Sequence, residues 1–272
     1  MSPAHAAERP LPLFMPLLMG AAASGGTAKY ARVDVVSAQW RVHRDLLAGL
    51  LPSCFVPVVD GPDQMGHLTV AFADNQGVEF MAGRGYRVAS VLVKAAFEKP
   101  TGPSGDFVVA MFEDDCLPIV FGRELLGLPK LFADISIEDR PDASMVCEAS
   151  LWGHTLFSFE TGPLEPRERL PDQAPAPSAL LGMRSFPDPV SGGAVGEPVL
   201  TPVEATLGEL AIGSEATVTW GLAGPGEVAC VAGLLDALRM LAVDDPSSVG
   251  RAIMSRVLRT DRIERLAAPC PL

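Results

Sequence analysis

Between Tyr30 and Trp152 the sequence is a succession of short apolar, β-branched runs cut apart by turn-rich pieces, and this pattern limits the possible folds more than any other feature. The runs are Tyr30 to Val36 (YARVDVV), His67 to Ala73 (HLTVAFA), Tyr86 to Phe97 (YRVASVLVKAAF), Phe107 to Phe112 (FVVAMF), Pro118 to Phe121, Ala133 to Ile137, and Ser144 to Trp152. Segments such as KPTGPSGD and EDD separate them. β-Branched and aromatic residues suit a pleated, half-buried surface, and turn signals at this density leave little length for crossover helices. The runs therefore predict antiparallel sheet or barrel rather than βαβ units. Only HRDLLAGLLP, stopped by Pro52, reads as a short amphipathic helix in this half.

Nine prolines between Pro163 and Pro202 resemble an interdomain linker, but the embedded run ALLGMRSF and the strands on either side predict an ordered excursion within one domain, residues 1–272. Leu207 to Gly221 returns to strand-like alternation. Beyond it, Val228 to Val243 and Val249 to Leu266 place apolar residues at helical spacing, so the class expected is α+β with helices at the end.

With 48% hydrophobic residues the chain can build a core, and its formal charge of −12 without a basic cluster argues against nucleic acid as a partner. Cys54, Cys116, Cys147, Cys230 and Cys270 are odd in number and never form C-x-x-C, a pattern of reduced thiols in a cytoplasmic protein. LPLFMPLLMGAAA has the look of an export signal, but Pro12 and Pro16 interrupt it and Glu8 stands beside Arg9. No other stretch approaches the roughly 20 apolar residues of a membrane span.

The segment that carries chemistry is PIVFGRELLGLPKLFADI, residues 118–135. It sets Lys130, one of only four lysines among 21 basic residues, between Leu128, Pro129, Leu131 and Phe132. Desolvation disfavours an ammonium group in such surroundings, and an unprotonated amine can attack a ketone or aldehyde to form a Schiff base. The iminium then acts as an electron sink for bond-breaking at the neighbouring carbon. Taken locally, a lysine that buries its stem and keeps its amine wet explains the same composition.

The order Gly122-Arg123-Glu124-Leu125, closing on Pro129-Lys130, resembles the catalytic segment of the acetoacetate decarboxylase family, whose lysine forms the Schiff base. WRVHRDLLAGLLP, FEDDCLPIVFGREL, SLWGHTLFSFETGP, the FPDP piece near Phe186 and the TWG…GP turn are similar to family segments as well. The resemblance spans about residues 10 to 266 and implies a closed, cone-like antiparallel β-barrel with flanking helices, in a homo-oligomer. It also draws LPLFMPLLMG into the domain's lead-in. By resemblance Lys130 is the catalytic residue, with Arg32, Tyr86, Arg87, Arg123, Glu124 and Leu128 as candidates for contact with a small carbonyl substrate. No cofactor is implied.

The chain also departs from the family. Leu131 stands where a second lysine follows the catalytic one. Two glutamates expected on the preceding strands are replaced by apolar residues, at Phe72 and at Val88 or Ala89, while Glu79 and Glu98 are out of phase. The family's pocket arginine falls at Val33, with Arg32 one residue off. These changes predict Schiff-base chemistry other than simple decarboxylation, of aldolase or dehydratase type on an oxo acid or polyketide-like carbonyl compound. A β-keto acid decarboxylase, a cyclase and a binding protein that merely keeps the pocket are the alternatives.

Other constellations are weaker. Histidines 5, 43, 67 and 154 are isolated, so no metal is expected. Gly83-Arg84-Gly85 reads as a hairpin turn and Gly224-Pro225-Gly226 as a turn before a helix. Arg123 and Glu124 could equally be a structural ion pair, Tyr86 and Arg87 surface residues, and Trp152 and Trp220 core or pocket wall.

Overall fold

The computed structural model describes residues 26–168, 178–187, 190, 194–241, 245–266 and 270–271. LPLFMPLLMG and much of the FPDP piece lie outside them. The main elements are β1 (Ala28–His43), α1 (Arg44–Ala48), β2 (Met65–Val78), β3 (Tyr86–Phe97), β4 (Ser104–Glu113), α2 (Cys116–Glu124), β5 (Lys130–Phe132) and β6 (Asp134–Asp139). They continue with β7 (Met145–Leu151), β8 (His154–Thr161), β9 (Ser178–Pro187), β10 (Ala194–Gly213), β11 (Ala216–Trp220), α3 (Pro225–Val228), α4 (Ala232–Arg239) and β12 (Ser248–Leu258).

Hydrogen bonding runs β3-β2-β1-β12-β10-β9-β4 and returns from β4 to β3, so the strands close into a ring. The expected barrel-like α+β fold is thus present, with one change. The ring closes through a short parallel seam, Leu180 opposite Asp106 and Leu181 opposite Phe107, while its other pairings are antiparallel. A second sheet, β11-β8-β7-β6, is antiparallel throughout.

Alternation gives each ring strand two faces with different neighbours. On β2, Leu68, Val70 and Phe72 point outward and are fully buried beneath the second sheet, where Phe72 lies 5.2 Å from Phe157 and 6.0 Å from Phe159, centroid to centroid. Val36, Ala38 and Trp40 of β1, Val91 and Val93 of β3, and Phe112 of β4 join this core, and Leu235 and Leu238 of α4 cover its edge. The intervening residues Thr69, Ala71, Ala73 and Asn75 face the inside of the ring and line a cavity. Small side chains on that face leave the interior open.

Two expectations fail here. Pro118 to Phe121 is the middle of helix α2, not a strand. The Asp115 side chain caps it by accepting from Leu117 N–H at 2.8 Å, and Pro118 sits in the first turn, where its missing N–H costs nothing. Val249 to Leu266 is mostly strand β12, not helix, because its two edges are taken up by β1 and β10. Among the described residues of this C-terminal part, α-helix is formed only by α3, which begins at Pro225 with Gly224 as its N-cap, and by α4. Gly83-Arg84-Gly85 lies in the turn between β2 and β3, as expected. Trp220 belongs to the core, whereas Trp152 sits on the β7–β8 turn, 70% exposed, neither core nor pocket wall.

Among the described residues no helix is long and apolar enough to cross a membrane, and no group of His, Cys, Asp and Glu is placed to hold a metal ion.

Candidate active site

Lys130 opens β5, which pairs in parallel with the end of β4, Met111 opposite Lys130 and Glu113 opposite Phe132. Met111 and Glu113 face inward, Phe112 outward, so the pairing delivers Lys130 to the inner wall. The preceding loop is held from three sides. Gly122 O accepts from Leu126 and Leu128 N–H, Gly127 O accepts from Met183 N–H of β9 at 2.8 Å, and the Arg123 guanidinium donates to Lys130 O at 2.9 Å. Gly127 has φ +66 and lies against the backbone of Met183 and Arg184, a position where a side chain would be strained.

The amine itself is buried, Lys130 being 4% exposed. Its Nζ donates to Glu113 Oε1 at 2.6 Å and to Pro118 O, in the first turn of α2, at 3.1 Å. Glu113 is 1% exposed, and its other oxygen, Oε2, has no hydrogen-bond partner among the described residues. Burial pushes the Glu113 carboxyl above the usual carboxylate range, against the opposing pull of Lys130. A carboxyl poised in this way can take a proton from the amine and return it. Gly122 leaves the space for the lysine stem: a Cβ there would overlap Lys130 Cε, Cδ and Nζ.

The cavity in front of the pair has a volume of about 380 Å³, small among ligand sites. The same end of the wall carries Tyr30, Asn75, Tyr86 and Arg256. The two phenols are hydrogen-bonded to each other at 3.2 Å, and burial pushes Tyr30 up to about 12 and Tyr86 well above its ordinary value, so both remain protonated donors near neutrality. Apart from Asp106, the rest of the lining is small or apolar, including Val35, Ala71, Val88, Leu126, Leu128 and Met254.

Of the sequence candidates, Lys130, Tyr86 and Leu128 meet in this cavity. Arg32 lies off its wall and pairs with Asp34 at 3.1 Å. Arg87 is exposed and donates to Ile135 O at 3.1 Å. Arg123 is exposed and clasps the loop through Lys130 O, while Glu124 ends α2 outside the lining, so the loop is secured by a backbone contact and not by the expected ion pair. Val88 does face the cavity, and Phe72 and Ala89 face the core. The sequence reading missed Glu113, Arg256, Tyr30 and Asn75. Glu113 had a signal: it closes an alternating strand in phase with Met111.

A strand ring around a cavity that carries a buried lysine offers a concave site of small-molecule size. The chain matches the family model for acetoacetate decarboxylase (ADC) over residues 14–266 and belongs to that family. Its fold is similar to that of the acetoacetate decarboxylase from Legionella pneumophila subsp. pneumophila str. Philadelphia 1, with a TM-score of 0.68, 16% identity and coverage of 90% of this chain and 88% of that one. It is similar also to the enduracididine biosynthesis enzyme MppR, solved with the condensation product of pyruvate and imidazole 4-carboxaldehyde, with a TM-score of 0.66, 18% identity and coverage of 89% and 90%. An acetoacetate decarboxylase-like enzyme from Sphingomonas wittichii RW1 gives a TM-score of 0.64, 18% identity and coverage of 90% and 94%. No curated protein sequence matches the chain. The protein is therefore an enzyme related to acetoacetate decarboxylase.

Proposed function

We propose that this enzyme forms a Schiff base through Lys130 on an oxo acid or polyketide-like carbonyl substrate and carries out aldolase- or dehydratase-type chemistry at the resulting iminium. The observation that supports this is the buried 2.6 Å contact between Lys130 Nζ and Glu113 Oε1 at the cavity wall. Glu113 takes a proton from the amine, the freed lone pair attacks the carbonyl carbon, and the carbinolamine hydroxyl leaves as water on receiving a proton back from Glu113. Tyr30 and Tyr86, held as phenols, supply the donor that steadies developing charge on the substrate oxygen. MppR's complex with a pyruvate condensation product supports carbon–carbon bond formation as a use of this fold.

Among the described residues, no glutamate other than Glu113 lines the cavity. Ala73 and Val88 face the interior near Glu113, and Asp106 lies at the far end of β4. For this reason we place decarboxylation second.

Borohydride trapping with pyruvate, acetoacetate and larger oxo acids, followed by intact-mass analysis and peptide mapping, tests the proposal. A reduced adduct on Lys130 that is absent from Lys130→Ala, without release of carbon dioxide, is the expected result. The absence of any adduct with all these carbonyl compounds would overturn it, and rapid carbon dioxide release from acetoacetate would put decarboxylation first.

A further inference from the structure

Among the described residues Arg256 is the one guanidinium on the cavity wall, half-buried on β12 opposite Tyr30 of β1. Other partly buried arginines are matched by acids: Arg251 by Asp34 and Asp139, Arg259 by Asp261 and Glu204. Among the described residues Arg256 has no carboxylate partner, and the groups that act on it are the phenols of Tyr30 and Tyr86. A guanidinium stays protonated in proteins, and burying one unpaired costs stability, so its place here calls for an anion from outside the chain.

The charges of the cavity point the same way. Glu113 and Lys130 balance each other, and Asp106 is met by Lys94 at 3.5 Å, which leaves Arg256 as uncompensated positive charge. Neutral donors stand beside it. Of the two hydroxyl protons on Tyr30 and Tyr86, one is used in their mutual hydrogen bond and the other is left to donate.

We infer that Arg256 is the carboxylate-recognition residue of the cavity and that the substrate presented to Lys130 is a carboxylic acid bearing a carbonyl group, not a neutral ketone or polyketide chain. The carbonyl half of this statement rests on the Schiff-base proposal. The carboxylate half does not, and the test separates them.

Isobutyrate and isobutyramide have nearly the same shape, and neither can form an imine. In ligand-observed NMR titrations the wild type should bind the acid about tenfold or more tightly than the amide, the scale of hydrogen bonding to a charged partner. Arg256→Met should abolish that preference and Arg256→Lys should keep part of it, with near-UV circular dichroism unchanged. In borohydride labelling at limiting concentration, wild type should likewise favour pyruvate over methyl pyruvate about tenfold, and Arg256→Met should label equally with both. Equal binding of acid and amide by the wild type, or an undiminished preference in Arg256→Met, would sink the assignment. A retained acid preference with no borohydride adduct would support Arg256 and overturn the Schiff base alone. If Arg256→Met does not fold, the comparison in the wild type still decides.

Discussion

Lys130 and Glu113 define the site as a pair, and each conditions the other. Burial raises the Glu113 carboxyl, so the folded chain holds a proton there more tightly than the unfolded chain does. The stability this confers is fully present below the ordinary carboxyl range and is lost as pH rises through the raised value. Denaturant unfolding of wild type and Glu113→Gln between about pH 4 and 8 should therefore show the wild type's relative stability falling with pH. A difference that rises with pH would show that Lys130 outweighs burial at this carboxyl. Lys130 itself was legible because an unusual lysine stood in a specific segment. Glu113 was not, since the acidic run Glu113-Asp114-Asp115 looks like a solvated turn, and only the phase of β4 separates the first acid from the next two. Arg32, Arg87 and Arg123 were chosen by nearness in sequence, and alternation or loop geometry turns each of them outward.

At the scale of elements, the lysine owes its position to α2 lying against β5. Pro118 O and the empty side of Gly122 together fix where Nζ can sit. Gly122→Ala should expel the amine from its contact with Glu113 and reduce borohydride labelling about tenfold or more while the protein stays folded, as intact mass and circular dichroism would report. Undiminished labelling would mean that the lysine stem can reroute. The strands of the first half were readable from alternation, and β3 was placed at its observed bounds. β12 was misread because apolar residues occupy both its faces, one toward the cavity and one toward partly covered surface, and that imitates helical spacing. With it the sequence reading lost Arg256. α2 was misread for the opposite reason: four residues of an apolar helix contain too little period to be told from a strand, although the Asp115 cap and the early proline were available as signals.

At the scale of the molecule, the ring separates stability from binding. Phe72→Ala removes a fully buried ring at the junction with the second sheet and should cost about 3–5 kcal/mol. Ala71→Leu, one residue away on the opposite face, should leave unfolding nearly unchanged and fill the cavity, abolishing isobutyrate binding. Denaturant unfolding and NMR titration of the two variants would show this crossed pattern, and a large stability loss in Ala71→Leu would refute the division. The closed strand ring was legible through family resemblance, whereas its parallel seam was not, because two strands from distant parts of the chain meet there over only a few residues.

The inward residues of β2 are small and open onto the cavity, so substitutions at Thr69, Ala71 and Ala73 are screened by what enters the cavity more than by whether the chain folds. A lineage built on this scaffold can exchange one substrate for another by successive changes along β1, β2, β3 and β12, while the outward residues of the same strands keep the protein intact throughout.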